Sequence, residues 1–145
     1  MHTSGMKSSE LFYSDPACDI WYNDRLKAVQ TRWKGIPVEG APFRRILDAI
    51  IELLELKKAS LIIADARNMK LISQEDQQWI GSSWYPRALD AGFASEILIV
   101  SKNSFSEKNI KKIVSQYYDE RELKTVYLLD PKDAEMWVHH FSAST

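Results

Sequence analysis

The chain has a single cysteine, Cys18, in 145 residues, which excludes an intramolecular disulfide and fits a reducing compartment, so a cytoplasmic location is expected. Its five glycines form neither a Gly-x-x-x-x-Gly-Lys loop nor a Gly-x-Gly-x-x-Gly fingerprint, which argues against the common nucleotide-binding enzymes. No run approaches the ~18 apolar residues of a membrane span, and the polar stretch Met1 to Ser9 has no apolar centre of the secretory kind. An excess of charge is also missing. With 19 Lys and Arg against 20 Asp and Glu, the net charge of -1 lacks the positive field that drives nucleic-acid binding. Of three histidines, His2 lies in the N-terminal stretch, while His139 and His140 are adjacent and diverge by ~100° on a helix, so they cannot share a metal in the i, i+4 manner. No metal or cofactor is expected, and no catalytic triad is evident.

What remains is an ordinary globular composition, 45% hydrophobic and 27% charged, of a size suited to one domain with one core. The expected organisation is a flexible tail over residues 1–9, a single α/β domain over 10–141 and a short tail over 142–145. Three strand-like runs, Leu11 to Tyr13, Cys18 to Tyr22 and Ala28 to Trp33, are separated by turn residues and predict an antiparallel meander. Pro42 then suits a first helical turn, and Phe43, Ile46, Leu47, Ile50 and Leu54 recur at helical spacing up to about Lys58. The apolar run Leu61 to Ala64 predicts a central strand covered on both faces. Ser73 followed by Asp76 marks a second helix start, and Pro86 predicts a kink or break near Tyr85, with Gly92 as the final cap. Strand Ile97 to Val100, a third helix capped by Ser104 and Glu107, strand Thr125 to Leu129 and a terminal helix after Asp130-Pro131 complete the pattern. The fold class is therefore a mixed sheet, antiparallel at first and parallel later, carrying about four helices.

The loop after the central strand is the leading site candidate, because open α/β sheets place ligands at carboxyl ends of strands. Asp65 offers an acceptor, Arg67 and Lys70 offer positive charge, Asn68 adds a polar side chain, and the helix start at Ser73 offers backbone amides to an anion. The plainer alternative is that Asp65 bonds nearby amides, Arg67 pairs with a carboxylate and Ser73 is an N-cap. Trp79 and Trp84 lie ~140° apart on one helix, so one faces outward. Trp84 shares a face with Ile80, which leaves Trp79 either for a partner or for cover by other elements. Cys18 reads as a small buried hydrophobe. Lys108, Lys111 and Lys112 beside Tyr117 and Tyr118 read as a solvated helix face diluted by acids.

The order of elements, with Leu61-Ile62-Ile63-Ala64-Asp65 followed by a loop and the Ser73-Gln74-Glu75-Asp76-Gln77 helix start, resembles the SpoIIAA-like, STAS-like domain families over roughly residues 10 to 141. That resemblance implies a non-enzymatic domain that binds proteins and sometimes small ligands or lipids. By position it makes Ser73 the nearest counterpart of a regulatory phosphorylation site, although the Asp-Ser-Gly type sequence is lacking here.

Three functions follow as expectations. The first is a cytoplasmic regulatory or interaction module meeting a protein partner, or a second copy of itself, through the Asp65 to Ser73 loop and Trp79. The second is a carrier for a small apolar, anionic or lipid ligand, with the Pro86 kink opening a pocket between helix and sheet. The third is an enzyme using Asp65 with Arg67 or Lys70. Neither nucleic-acid binding nor a membrane span is expected.

Overall fold

The computed structural model describes residues 11–143, so the expected tail of residues 1–9 and His2 lie outside the described residues. Six strands form one sheet whose spatial order is the chain order: β1 Leu11–Ser14, β2 Cys18–Asn23, β3 Ala28–Trp33, β4 Leu61–Asp65, β5 Ser95–Ile99 and β6 Lys124–Leu128. The first three pair antiparallel and the last four run parallel, as the alternation of short strands and then of strands with helices predicts. Ala28, Leu61, Ser95 and Lys124 stand in one row across the parallel part, and Arg32, Asp65, Ile99 and Leu128 in another.

Helix α1, Ala41–Lys57, starts from Gly40, whose φ of 67° is a left-handed conformation that glycine adopts without the Cβ penalty. Its stripe Phe43, Ile46, Leu47, Ile50 and Leu54 is buried, as the spacing requires. Helix α2, Gln74–Trp79, and helix α3, Tyr85–Asp90, connect β4 to β5, and α4, Phe105–Tyr117, connects β5 to β6. Right-handed crossovers along a strand order that never reverses put all three connections on one face. There α1, α2 with α3, and α4 bury Val29, Ile62, Ala64 and Leu98 in one large core. Alternate residues Ala28, Leu61, Ile63, Ile97 and Ile99 point to the other face, which α5, Ala134–Ala143, covers with Ala134, Val138, Trp137 and Phe141. That helix takes in residues 142 and 143, expected to belong to a tail.

No break occurs at Pro86. Instead the helix passes from α2 to α3 through a widened π turn, Ile80–Trp84, in which the Tyr85 N–H donates to the Ile80 carbonyl five residues back. The wider turn lies just where the proline ring would crowd the carbonyl four residues before it and where an amide hydrogen is missing. Strand β5 also begins two residues earlier than expected, which brings Glu96 into the sheet. Gly92 has the left-handed φ of a helix terminus, 106°. Among the described residues no helix is long and apolar enough to cross a membrane.

Candidate functional site

The loop from Asp65 to Ser73 begins with an ion pair inside it and is tied to other segments through Ile99, Ser101 and Asn109. Arg67 donates to the Asp65 carboxylate from Nε at 2.9 Å and from Nη2 at 2.7 Å, and its backbone N–H donates at 3.3 Å. Burial pushes the Asp65 carboxyl up, but these bonds together with the charges of Arg67 and Arg32 hold it below its ordinary value. The plainer reading of this pair thus describes the geometry, since Arg67 already has its anion. Asn68 and Lys70 are exposed. The Ser73 hydroxyl accepts from the Asp76 N–H at 3.1 Å, which is an N-cap.

The strand order explains why polar groups do not converge here. Ligand crevices at strand ends open where neighbouring crossovers leave to opposite faces of the sheet. All three crossovers here pack on one face, so no such crevice flanks β4.

Trp79 is the more outward of the two tryptophans, as expected, but it is not bare. The guanidinium of Arg44 lies 5.3 Å and that of Arg87 5.6 Å from its ring centroid. Arg44 also donates from Nε to the Asp76 carboxylate at 3.3 Å, and the other oxygen of Asp76 accepts from the Gly40 N–H at 2.9 Å. Asp76 is 1% exposed, so it joins the entry of α1 to the entry of α2 from inside. Sequence spacing placed it in a first turn and gave no sign of that longer reach. Trp84 is buried and donates from Nε1 to the Leu47 carbonyl at 2.7 Å.

The residues that do converge were outside the expected site. A cavity of about 80 Å³ lies between the sheet and the helices of the larger core. Trp33, Phe43, Leu47, Ile62, Trp84 and Ile110 contribute apolar walls, and the loop supplies Ala66, Met69 and Ile72 while its polar side chains face out. Three polar side chains, Thr31, Glu96 and Tyr118, break this lining. Thr31 is 1% exposed and its hydroxyl has no hydrogen-bond partner among the described residues. Glu96 is 7% exposed, and its carboxyl likewise has no partner among the described residues. Burial alone pushes the Glu96 carboxyl up to about 8. Tyr118, raised well above its ordinary value by burial and then by Glu96, shares this lining and stacks on Tyr85 with centroids 4.5 Å apart. The solvated helix face expected around Lys108, Lys111 and Lys112 is exposed at all three lysines, whereas Tyr118 beyond it turns to the cavity.

A sign of Glu96 was present in the sequence. It stands two residues before Leu98, in phase with a strand's buried side, although the strand expected from Ile97 to Val100 excludes it. Thr31 alternates with Val29 and Trp33 on the same buried face.

A second concavity, about 670 Å³, flanks the edge strand β6 and is walled by Val126, Tyr127, Trp137 and Phe141, with Lys111 and Glu120 at its rim. The Lys111 Nζ lies 5.0 Å from the Tyr127 ring centroid. Lys124 and Leu128 bond toward β5, so the backbone groups of Thr125 and Tyr127 face away from the sheet. Cys18 is buried, and burial raises its thiol far above the usual range, in keeping with a structural role. Among the described residues no three potential ligands gather as a metal site.

In comparisons with known proteins the chain matches no family model, no curated protein and no solved structure.

Proposed function

We propose that this chain is a binding domain that holds a small, largely apolar molecule in the cavity between the sheet and helices α1 to α4. The observation that carries this reading is the pairing of an unfilled apolar space with two unpartnered buried polar groups, Glu96 and Thr31. A buried polar group without a partner costs about 1–3 kcal/mol, and native proteins retain few of them. At roughly 10–15 Å³ per water, the cavity has room for about six atoms of that size. Dissolved xenon tests the space itself. In a methyl-labelled sample, xenon is expected to shift the methyl resonances of Ile62, Leu98 and Ile110, which line the cavity, and to leave Ile63 and Ile97 on the opposite face unmoved. Equal response of both faces, or none, would reject the reading.

A second reading is favoured by the groove at β6. As a cytoplasmic regulatory module of STAS-like kind, the domain would pair an extended segment of a partner, or of a second copy, with the outward backbone groups of Thr125 and Tyr127. The groove shifts the interaction surface away from the Asp65 to Ser73 loop, where Arg67 is already paired with Asp65, and from Trp79, which two arginines flank. Sedimentation velocity is then expected to show a dimer, or a complex with the partner, that Thr125→Pro abolishes by removing an outward N–H. A wild-type chain that stays monomeric and captures no partner excludes this reading.

A further inference from the structure

The cavity's chemistry narrows its occupant, on the reading that the cavity is a binding site. We infer that it takes an uncharged molecule with a short hydrocarbon body and an oxygen acceptor that receives a hydrogen bond from the Glu96 carboxyl. Apart from Thr31, Glu96 and Tyr118 the walls are apolar, and among the described residues no Lys, Arg or His lines the space. An anionic ligand would face Glu96 with no positive group to balance it, and an isolated charge in such surroundings is strongly disfavoured. An amine would draw the proton from Glu96 and form a buried ion pair, whose desolvation costs several kcal/mol per ion. Its remaining N–H groups would have little beyond the Thr31 hydroxyl to bond.

A neutral oxygen meets neither penalty. Burial keeps Glu96 in its proton-bearing form near neutral pH, so the carboxyl has one O–H to donate. The bond satisfies the acid and orients the ligand, while the carbon body covers Ile62, Leu98 and Trp84. Thr31 presents a second unpaired hydroxyl to the same space, which a further oxygen on the ligand would reach. The occupant is thus a short-chain ketone, alcohol or ester rather than a fatty-acid anion or an amine. The position of Glu96 sets this preference, because it carries the ionisable side chain among the polar residues that break the apolar wall, apart from the weakly acidic Tyr118.

Size-matched probes test the preference on the intact chain by the same methyl resonances: 2-pentanone, butyrate and pentylamine, with xenon as the apolar control. The expected result at neutral pH is binding of 2-pentanone at least about tenfold tighter than of butyrate or pentylamine. Glu96→Gln, which keeps a donor, should hold the ketone within about threefold. Glu96→Leu should weaken it about tenfold while leaving xenon in place. If neither xenon nor 2-pentanone enters, the binding reading itself falls. If xenon enters but the three organic probes bind alike, or if Glu96→Leu leaves the ketone unaffected, the cavity stands and the assigned ligand class is wrong. Tightest binding by pentylamine would overturn the class in favour of a cation.

Discussion

Replacing Glu96 by Gln is expected to flatten the pH dependence of stability between about pH 5 and 8, where the parent chain loses stability as the pH rises. Burial holds the folded carboxyl at about 8, against 4.5 for an ordinary glutamate. The folded state therefore keeps a proton that the unfolded chain has already released. Stability from this group is fully present below the unfolded value, declines as the pH climbs through the interval and levels off above the folded value. At about 1.4 kcal/mol per unit the total is on the order of 5 kcal/mol. Glutamine has no proton to release, so its curve lacks this decline. Asp19 and Asp65 act in the opposite sense. Burial raises both carboxyls, but bonds from Ser14, Lys34 and Arg32 to Asp19, and from Arg67 to Asp65, bring them below the ordinary value. Their stability is lost as the pH falls in the acid range, equally in both proteins. Urea midpoints at several pH values isolate Glu96 by difference. Parallel curves for parent and variant would show that Glu96 ionises as an exposed acid does, and would remove the burial argument.

Gly81→Ala is expected to destabilise the fold by about 1–3 kcal/mol, the usual cost of overpacking, although glycine to alanine in a helix interior ordinarily stabilises by roughly 0.5–1 kcal/mol. The sign is set by Tyr117. A Cβ on Gly81 would run into the Tyr117 ring near its root, at Cγ and Cδ1, where the side chain cannot swing clear as a flexible tip can. The π turn and α4 meet at this point, so relief requires either a new tyrosine rotamer or separation of the two segments. Urea unfolding measures the loss. In a Tyr117→Ala background the same change should become neutral or stabilising, because the obstructing ring is gone. A loss of equal size in both backgrounds would assign the effect to the π turn rather than to the ring.

Most local structure was readable because it depends on neighbours in the chain. Pro42 and the stripe from Phe43 to Leu54 specify α1, and Ser104 with Glu107 specifies the start of α4, where the Ser104 hydroxyl accepts from the Glu107 N–H at 3.0 Å. Asp130 and Pro131 likewise mark the turn into α5 through a bond from the Lys132 N–H at 2.9 Å. Pro86 signalled a disturbance in its helix, but a missing amide and a crowded carbonyl can be relieved by breaking, bending or widening the turn. Packing of Trp84 below and Tyr117 beside the helix is compatible with the widened turn. The candidate site was harder to read. Asp65, Arg67 and Ser73 stand out in the sequence as polar residues in a loop, yet Asp65 and Arg67 satisfy each other and Ser73 caps the helix at Asp76. Glu96 and Thr31 were overlooked because each is an unremarkable strand residue until helices on one face enclose it.

The chain alone determined the succession of strands and helices, the antiparallel start and parallel continuation of the sheet, and the outward setting of Trp79, all through periodicity and caps that act over a few residues. Only the tertiary structure decided that the crossovers share one face, that Asp76 joins two helix entries, and that Glu96 and Thr31 open onto one unfilled space. Whether a polar group is solvated or stranded depends on which segments pack over it, and those segments lie far away along the chain.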